Sequence, residues 1–96
     1  MKTDKIVEVG IDGEGSLWVK PADARFPYIY REAMEVGWDG NRQCLFSPRP
    51  REWSYVDWFR QILAGAKAQR TTLLLDTHTQ WRAIDADLKK EIEASQ

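Results

Sequence analysis

The chain contains few of the side chains that metal sites and covalent active sites use. Its 96 residues include one cysteine and one histidine, which excludes an internal disulfide and leaves any zinc centre dependent on several carboxylate ligands. Cys44 is followed by Leu45 and Phe46, a setting that favours a small buried hydrophobe over a reactive thiol. We therefore expect a protein of a reducing compartment that holds no metal or other cofactor.

Long apolar runs and an N-terminal targeting pattern are also missing. No stretch of the sequence approaches the roughly 18 consecutive apolar residues of a membrane span. The first residues lack a basic segment followed by an apolar run, which argues against a secretory signal. These absences predict a cytoplasmic protein that does not bind membranes.

Net charge is scarce as well, because 14 basic and 15 acidic residues leave a formal charge of −1. Proteins dedicated to nucleic acid usually carry a strong positive charge, so the balance argues against nucleic acid as the main partner. The charges are uneven, however, and residues 41–70 hold six basic and two acidic groups. Binding of single-stranded nucleic acid through the basic, aromatic segment 42–60 is therefore the second hypothesis.

Apolar and aromatic residues are plentiful, at 43% and 11% of the chain, and five are tryptophans. This composition is typical of a folded protein and argues against disorder. A chain of this length can bury one core, so residues 1–96 are expected to form a single domain.

The first third of the chain has the pattern of a β-hairpin. Residues 5–11 and 16–20 alternate apolar and polar side chains on either side of Asp12-Gly13-Glu14-Gly15, a sequence suited to a tight turn. Trp18 would then point outward as an exposed aromatic residue. The residues expected on the inward faces are Val7, Val9, Ile11, Leu17 and Val19.

A second hairpin is predicted further along. Residues 27–38 have the composition of a strand, and Asp39-Gly40-Asn41 would turn the chain into another strand at 43–47. The helical propensity of residues 30–37 leaves a helix there as the alternative.

Two amphipathic helices and one more strand follow. Ser54 and Asp57 are spaced as a capping box, and a helix beginning there would bury Tyr55, Trp58, Phe59, Ile62, Leu63 and Ala66. Residues 71–76 are apolar on both faces, as in a central strand. The last helix is expected to begin near Thr79 and to bury Trp81, Ile84, Leu88 and Ile92. The sequence thus predicts an α+β fold, with an antiparallel sheet of about five strands and two helices in the order β-β-β-β-α-β-α.

The segment PRPREWSYVDW, residues 48–58, combines arginines, prolines and aromatics. Arg49, Arg51 and Trp53 could anchor a protein partner, or Trp53 could merely pack against its own helix as a hydrophobic staple. Tyr28 and Tyr30, if they lie beside Trp18 across the sheet, would extend the surface into an aromatic platform. All six residues are predicted to bind a partner.

The leading hypothesis is a small non-enzymatic domain that binds another protein or a second copy of itself as a homodimer. An inhibitor or a toxin-neutralising protein would fit this description. The third hypothesis is a hydrolase in which His78, near Asp76, works with loop carboxylates such as Asp12 and Asp39. It requires His78 to line a concave pocket with at least two acids.

Overall fold

A computed structural model describes all 96 residues as a mixed six-stranded sheet with two α-helices packed on it. The strands are β1 (Lys2–Ile11), β2 (Leu17–Pro21), β3 (Gly37–Asp39), β4 (Cys44–Phe46), β5 (Thr71–Leu74) and β6 (Gln80–Arg82), and the helices are α1 (Tyr55–Ala68) and α2 (Ala86–Ala94). The predicted α+β class and two helices are confirmed, with one strand more than expected. No helix has the length and apolar composition needed to cross a membrane.

The long strand β1 is paired along both of its edges in a sheet whose order is β3-β4-β2-β1-β5, with β6 also paired to β1. β2 pairs with β1 antiparallel, and β5 and β6 pair with its first and second halves in parallel. The prediction that residues 71–76 form a central strand is therefore wrong. β5 is an edge strand paired only with β1, and its Leu74 side chain is 40% exposed.

A β-bulge interrupts the pairing of β1 with β2 between Ile6 and Glu8. A bulge adds one residue to its strand and reverses the alternation of side chains beyond that point. Ile6 and Val9 are consequently both fully buried, whereas Val7 is 36% exposed. The predicted inward position of Val9 is confirmed and that of Val7 is wrong.

Thr79 is a buried residue that ties the bulge to the start of β6. Its hydroxyl donates to the Ile6 carbonyl at 2.7 Å and accepts from the Asp76 amide at 3.0 Å. The prediction that Thr79 begins the last helix is wrong, because the next residues pair with β1. Asp85 is the N-cap of α2 instead, and its carboxylate accepts from the Leu88 amide at 2.8 Å.

Replacing Thr79 with valine is expected to lower the free energy of unfolding by about 1–3 kcal/mol. Valine keeps the shape but leaves the Ile6 carbonyl and the Asp76 amide without their partner. Urea denaturation measures the loss, and Thr77→Val in the same loop, where the side chain is exposed, is the matched control and should change stability by less than about 0.5 kcal/mol. Equal stabilities for the two variants would contradict this role of the hydroxyl.

The segment before β3 is neither the predicted strand nor the alternative helix over residues 30–37. It forms one turn of 3-10 helix at Ile29–Arg31 within a longer loop, and only Gly37–Asp39 is a strand. Ile29 and Ala33 are buried in this loop, and a β-carbon on Gly65 of α1 would lie 3.0 Å and 2.8 Å from their side chains. Because Gly65 has no side chain, the loop can pack closely against α1. This packing outweighs the preference of the loop residues for a strand or an α-helix.

Both helices lie on one face of the sheet. The capping box of α1 is confirmed, with the Ser54 hydroxyl accepting from the Asp57 amide at 3.1 Å and the Asp57 carboxylate accepting from the Ser54 amide at 3.0 Å. Sixteen buried residues form one core between the helices and the sheet, and they include Val9, Val19, Leu45, Phe59, Ile62 and Ile92.

Candidate partner-binding cleft

A cleft of about 450 Å³ opens between the segment that follows β4, the loop over residues 28–35 and the first turns of α1. Three of the six predicted partner-binding residues meet there. The residues that line it are Met34, Glu35, Arg49, Arg51, Glu52, Trp53, Trp58 and Gln61.

The sequence around the cleft explains why its rim lies outside the helices and strands. Ser47 ends the sheet, since its amide donates to the Leu17 carbonyl at 2.8 Å and its hydroxyl accepts from the Leu17 amide at 3.2 Å. Pro48 and Pro50 have no amide hydrogen, so the chain cannot continue a strand ladder through them. The capping box at Ser54 then starts α1, and the five residues before it, 49–53, remain outside both regular elements.

Trp53 and Trp58 form the aromatic wall of the cleft. Trp53 immediately precedes the N-cap of α1 and Trp58 is the fourth helical residue, which are the two positions of a hydrophobic staple. Their ring centroids are 4.8 Å apart at 46°. Trp58 is 7% exposed and Trp53 is 45% exposed, so the staple leaves much of Trp53 open to a partner.

The indole nitrogen of Trp58 is the one buried side-chain nitrogen or oxygen without a hydrogen-bond partner. A buried donor left unpaired costs roughly 1–3 kcal/mol, and such groups are rare in folded proteins. The helix therefore holds an unsatisfied N–H group on a residue that lines the cleft.

The two arginines of the cleft differ in their contacts. Arg51 pairs with Glu35 at 3.3 Å, with both side chains largely exposed, and a pair of this kind adds little stability. Arg49 forms no ion pair, and its stem packs on Gly15, where an added β-carbon would lie 3.1 Å from Arg49 Cγ. Gly15 has φ +86°, a conformation that favours glycine.

Tyr28 and Tyr30 lie on the same loop as Met34 and do not line the cleft. They are 55% and 60% exposed, their rings meet edge to face at 6.5 Å, and the Arg31 guanidinium lies 4.8 Å and 5.8 Å from them. Both side chains are thus open to solvent. Their predicted place on a strand is wrong, and the aromatic platform with Trp18 is not formed, because the loop docks on α1 instead.

Trp18 lies on the other face of the sheet and is only 7% exposed, so its predicted exposure is wrong. Its ring lies flat on Gly10 of β1, where an added β-carbon would be 2.6 Å from Trp18 Cε2. The Arg42 guanidinium stacks over it at 4.9 Å. Trp18 is therefore separate from the cleft. Arg42, although it belongs to the basic segment 42–60, lies with Trp18 and not in the cleft.

His78 is exposed in the loop between β5 and β6 and does not line the cleft at Trp53. Its amide donates to the Asp76 carboxylate at 2.8 Å, a turn interaction. No group of three or more His, Cys, Asp and Glu residues is placed to hold a metal. His78 therefore has the surroundings of an exposed polar turn.

Cys44 is buried, as predicted, with 1% of its surface exposed. Burial raises the pKa of its thiol above the ordinary value, against a smaller opposing effect of Arg42. The thiol is therefore protonated and unreactive at neutral pH.

Reasoning from the sequence missed Met34, Glu35 and Gln61 as residues of the cleft, and assigned Trp58 to the core alone. Met34 and Glu35 fell within the segment mistaken for a strand. The spacing of Trp53 and Trp58 as a staple was the available signal for the aromatic wall, since it places two large rings at the same helix end.

Comparison with known proteins gives one family and one solved structure. The family described as Integron Cassette Protein Hfx_Cass5 matches residues 4–80. The solved integron cassette protein Hfx_Cass5, from the mobile metagenome of North West Arm Sewage Outfall, is 43% identical over 99% of this chain and 96% of its own, with a TM-score of 0.51. No curated protein matches the chain. The similarity supports a common α+β fold, and neither description states an activity or a partner.

Proposed function

The chain belongs to the Integron Cassette Protein Hfx_Cass5 family, and we propose that it is a binding protein that recognises another protein through the cleft lined by Arg49, Arg51 and Trp53. The observation that carries this proposal is the half-exposed Trp53 ring held on Trp58 in a cleft that Arg49 and Arg51 also line. Tryptophan and arginine are the residue types most enriched among the energetic centres of protein interfaces.

The backing of Trp53 supports this role. A ring fixed by a staple to the end of a helix loses little conformational freedom on binding, which reduces the entropic cost of an interface. Gln61 and Glu52 supply polar groups beside it, consistent with an apolar centre bordered by a polar rim.

Exposed side chains on the loop over residues 28–35 suggest that the binding surface extends beyond the cleft. Tyr28, Tyr30 and Met34 are 55%, 60% and 79% exposed, although large apolar side chains of this kind are usually covered when they cluster. Since Met34 lines the cleft, a partner seated on Trp53 would meet this loop as well.

The charges of the cleft favour a protein over nucleic acid. Its two arginines are matched by Glu35 and Glu52, so the cleft has no excess of positive charge to attract a phosphate backbone. Arg42 lies on the opposite face of the sheet against Trp18. The basic residues of segment 42–60 are therefore divided between two surfaces.

Trp53→Ala is expected to weaken partner binding at least about 30-fold, the loss associated with a hot-spot residue. Arg51→Glu should weaken it as well by placing a negative charge beside Glu35 and Glu52. Light scattering at several concentrations measures self-association, and quantitative affinity capture from a bacterial lysate followed by titration of the captured protein measures partner binding. Lys90→Glu, an exposed charge reversal on α2, is the control.

Unchanged self-association and unchanged capture in both cleft variants would overturn the proposal. Salt-sensitive quenching of tryptophan fluorescence by short single-stranded RNA or DNA would favour the nucleic-acid hypothesis instead.

A further inference from the structure

The outer edge of β5 is open to a further strand. β5 pairs with β1 alone, in parallel, and the Lys2 amide of β1 donates to the Arg70 carbonyl at 2.9 Å. Successive residues of a strand direct their main-chain groups to opposite sides, so Thr71, Leu73 and Leu75 direct theirs away from β1. Edge strands are commonly protected by lysine, proline or a bulge, and residues 71–75 have none of these.

The side chain of Gln96 binds two of these edge groups. Its amide oxygen accepts from the Leu75 amide at 2.7 Å, and its amide nitrogen donates to the Leu73 carbonyl at 3.2 Å. One side-chain amide thus serves this edge as a main-chain amide of an added strand would. Gln96 is exposed, so a strand that offers more bonds can displace it.

We propose that β5 of one copy pairs antiparallel with β5 of a second copy, centred on Leu73, to give a symmetric homodimer with one continuous sheet. The two Leu73 residues would exchange N–H···O bonds, and Thr72 of each copy would lie opposite Leu74 of the other, covering a side chain that is 40% exposed. The interface is small, so the dimer is expected to be transient. β5 contributes no residue to the cleft, and the proposal therefore goes beyond the proposed function.

The charges beside β5 favour a second copy as the occupant. The register centred on Leu73 places Arg70, three residues before it, opposite Asp76 of the second copy, three residues after it, and the symmetry repeats the pair. Arg70 is exposed and forms no ion pair. Asp76 has one ion pair, at 3.8 Å to the exposed Lys5. The edge thus carries both halves of an opposite-charge pair, and it matches itself.

Sedimentation equilibrium over a wide range of protein concentrations tests the surface. Gln96→Ala removes the side chain that competes for the edge and should tighten the dimer about tenfold. Arg70→Glu puts like charges opposite each other at both ends of the interface and should weaken the dimer about tenfold. Lys67→Glu, the same charge reversal at an exposed position of α1, is the control and should leave the dimer unchanged.

Disulfide formation tests the register. Directly opposite residues of a non-hydrogen-bonded antiparallel pair have Cα atoms about 4.5 Å apart, which a disulfide can bridge, whereas diagonal neighbours are about 7–8 Å apart. An equal mixture of Thr72→Cys and Leu74→Cys chains should therefore, on mild oxidation, link unlike chains in preference to like ones. Cys44 is buried and contributes no competing thiol.

Three results would each overturn the proposal. They are a monomer at every concentration for both the unchanged chain and Gln96→Ala, self-association that Arg70→Glu weakens no more than Lys67→Glu does, and disulfides that join like chains as often as unlike ones. Circular dichroism establishes that each variant is folded before it is compared.

Discussion

Alanine in place of Gly10 is expected to lower the free energy of unfolding by about 2–3 kcal/mol, the upper range for overpacking. The added methyl group would lie 2.6 Å from Trp18 Cε2 and 2.9 Å from Nε1, too close for any contact to persist without displacement. The indole would have to leave the surface of β1 and expose area that is 93% covered when Trp18 is 7% exposed. For a chain of this size the melting temperature should fall by roughly 8–20 °C.

Two comparisons isolate the contact with Trp18. Gly13→Ala adds the same methyl group where no atom lies within 4 Å and should change stability by less than about 0.5 kcal/mol. In a Trp18→Leu background the penalty of Gly10→Ala should largely disappear, because the ring that it displaces is gone. A penalty that is the same with and without the ring would show that Gly10 is needed for backbone conformation instead.

Truncation of Phe59 to alanine is expected to have the largest effect, a loss of about 3–5 kcal/mol. Phe59 is fully buried between the helix and the sheet, and removing its ring leaves a cavity in the one core of the chain. The free energy of unfolding of a natural protein is typically about 5–15 kcal/mol. A loss of this size would therefore remove a large part of the stability of the folded state. Chemical denaturation followed by circular dichroism measures it.

Arg60→Ala is the matched control, because Arg60 is the next residue of the same helix and is exposed. It should change the midpoint of unfolding little and leave its slope unchanged. A small effect for Phe59→Ala, similar to that of Arg60→Ala, would mean that the core between α1 and the sheet is not packed as described.

The face of the sheet opposite the helices also carries aromatic rings, but these rings pack on glycines of the neighbouring strands. Phe46 lies across Gly37, where an added β-carbon would be 2.5 Å from its ring, as Trp18 lies across Gly10. Arg82 of β6 and Glu8 of the adjacent strand β1 form an ion pair at 2.6 Å. The rings of Trp18 and Phe46 pack directly on the backbone of a neighbouring strand. Trp53 lies instead at the end of a helix and is 45% exposed.

Local signals correctly predicted the parts of the fold that depend on neighbours in sequence. The turn at residues 12–15 joins two strands, and the Ser54 capping box begins α1. The apolar stripe of α1 is buried at Trp58, Phe59 and Ile62. Each of these features depends mainly on residues a few positions apart in the sequence.

The errors occurred where distant residues decide the structure. Residues 71–76 have an apolar pattern that cannot distinguish an edge strand from a central one, and Thr79 has a hydroxyl suited to a cap that in fact serves the β1 bulge. Residues 27–38 have strand composition, yet Ile29 and Ala33 are buried against α1, where Gly65 has no side chain to block their approach. None of these partners lies within ten residues along the chain.

By itself the sequence determined the class of fold, the cap and buried face of α1, and the concentration of arginine and tryptophan at residues 49–53. Only the tertiary structure decided which of the six candidate residues share a surface: Arg49, Arg51 and Trp53 line one cleft, Tyr28 and Tyr30 lie on the loop beside it, and Trp18 is on the opposite face. The reason is physical. Composition and periodicity report what each residue prefers, whereas a surface depends on which distant segments come together. Here Trp18 pairs with Gly10 of β1, and the loop over residues 28–35 packs on Gly65 of α1.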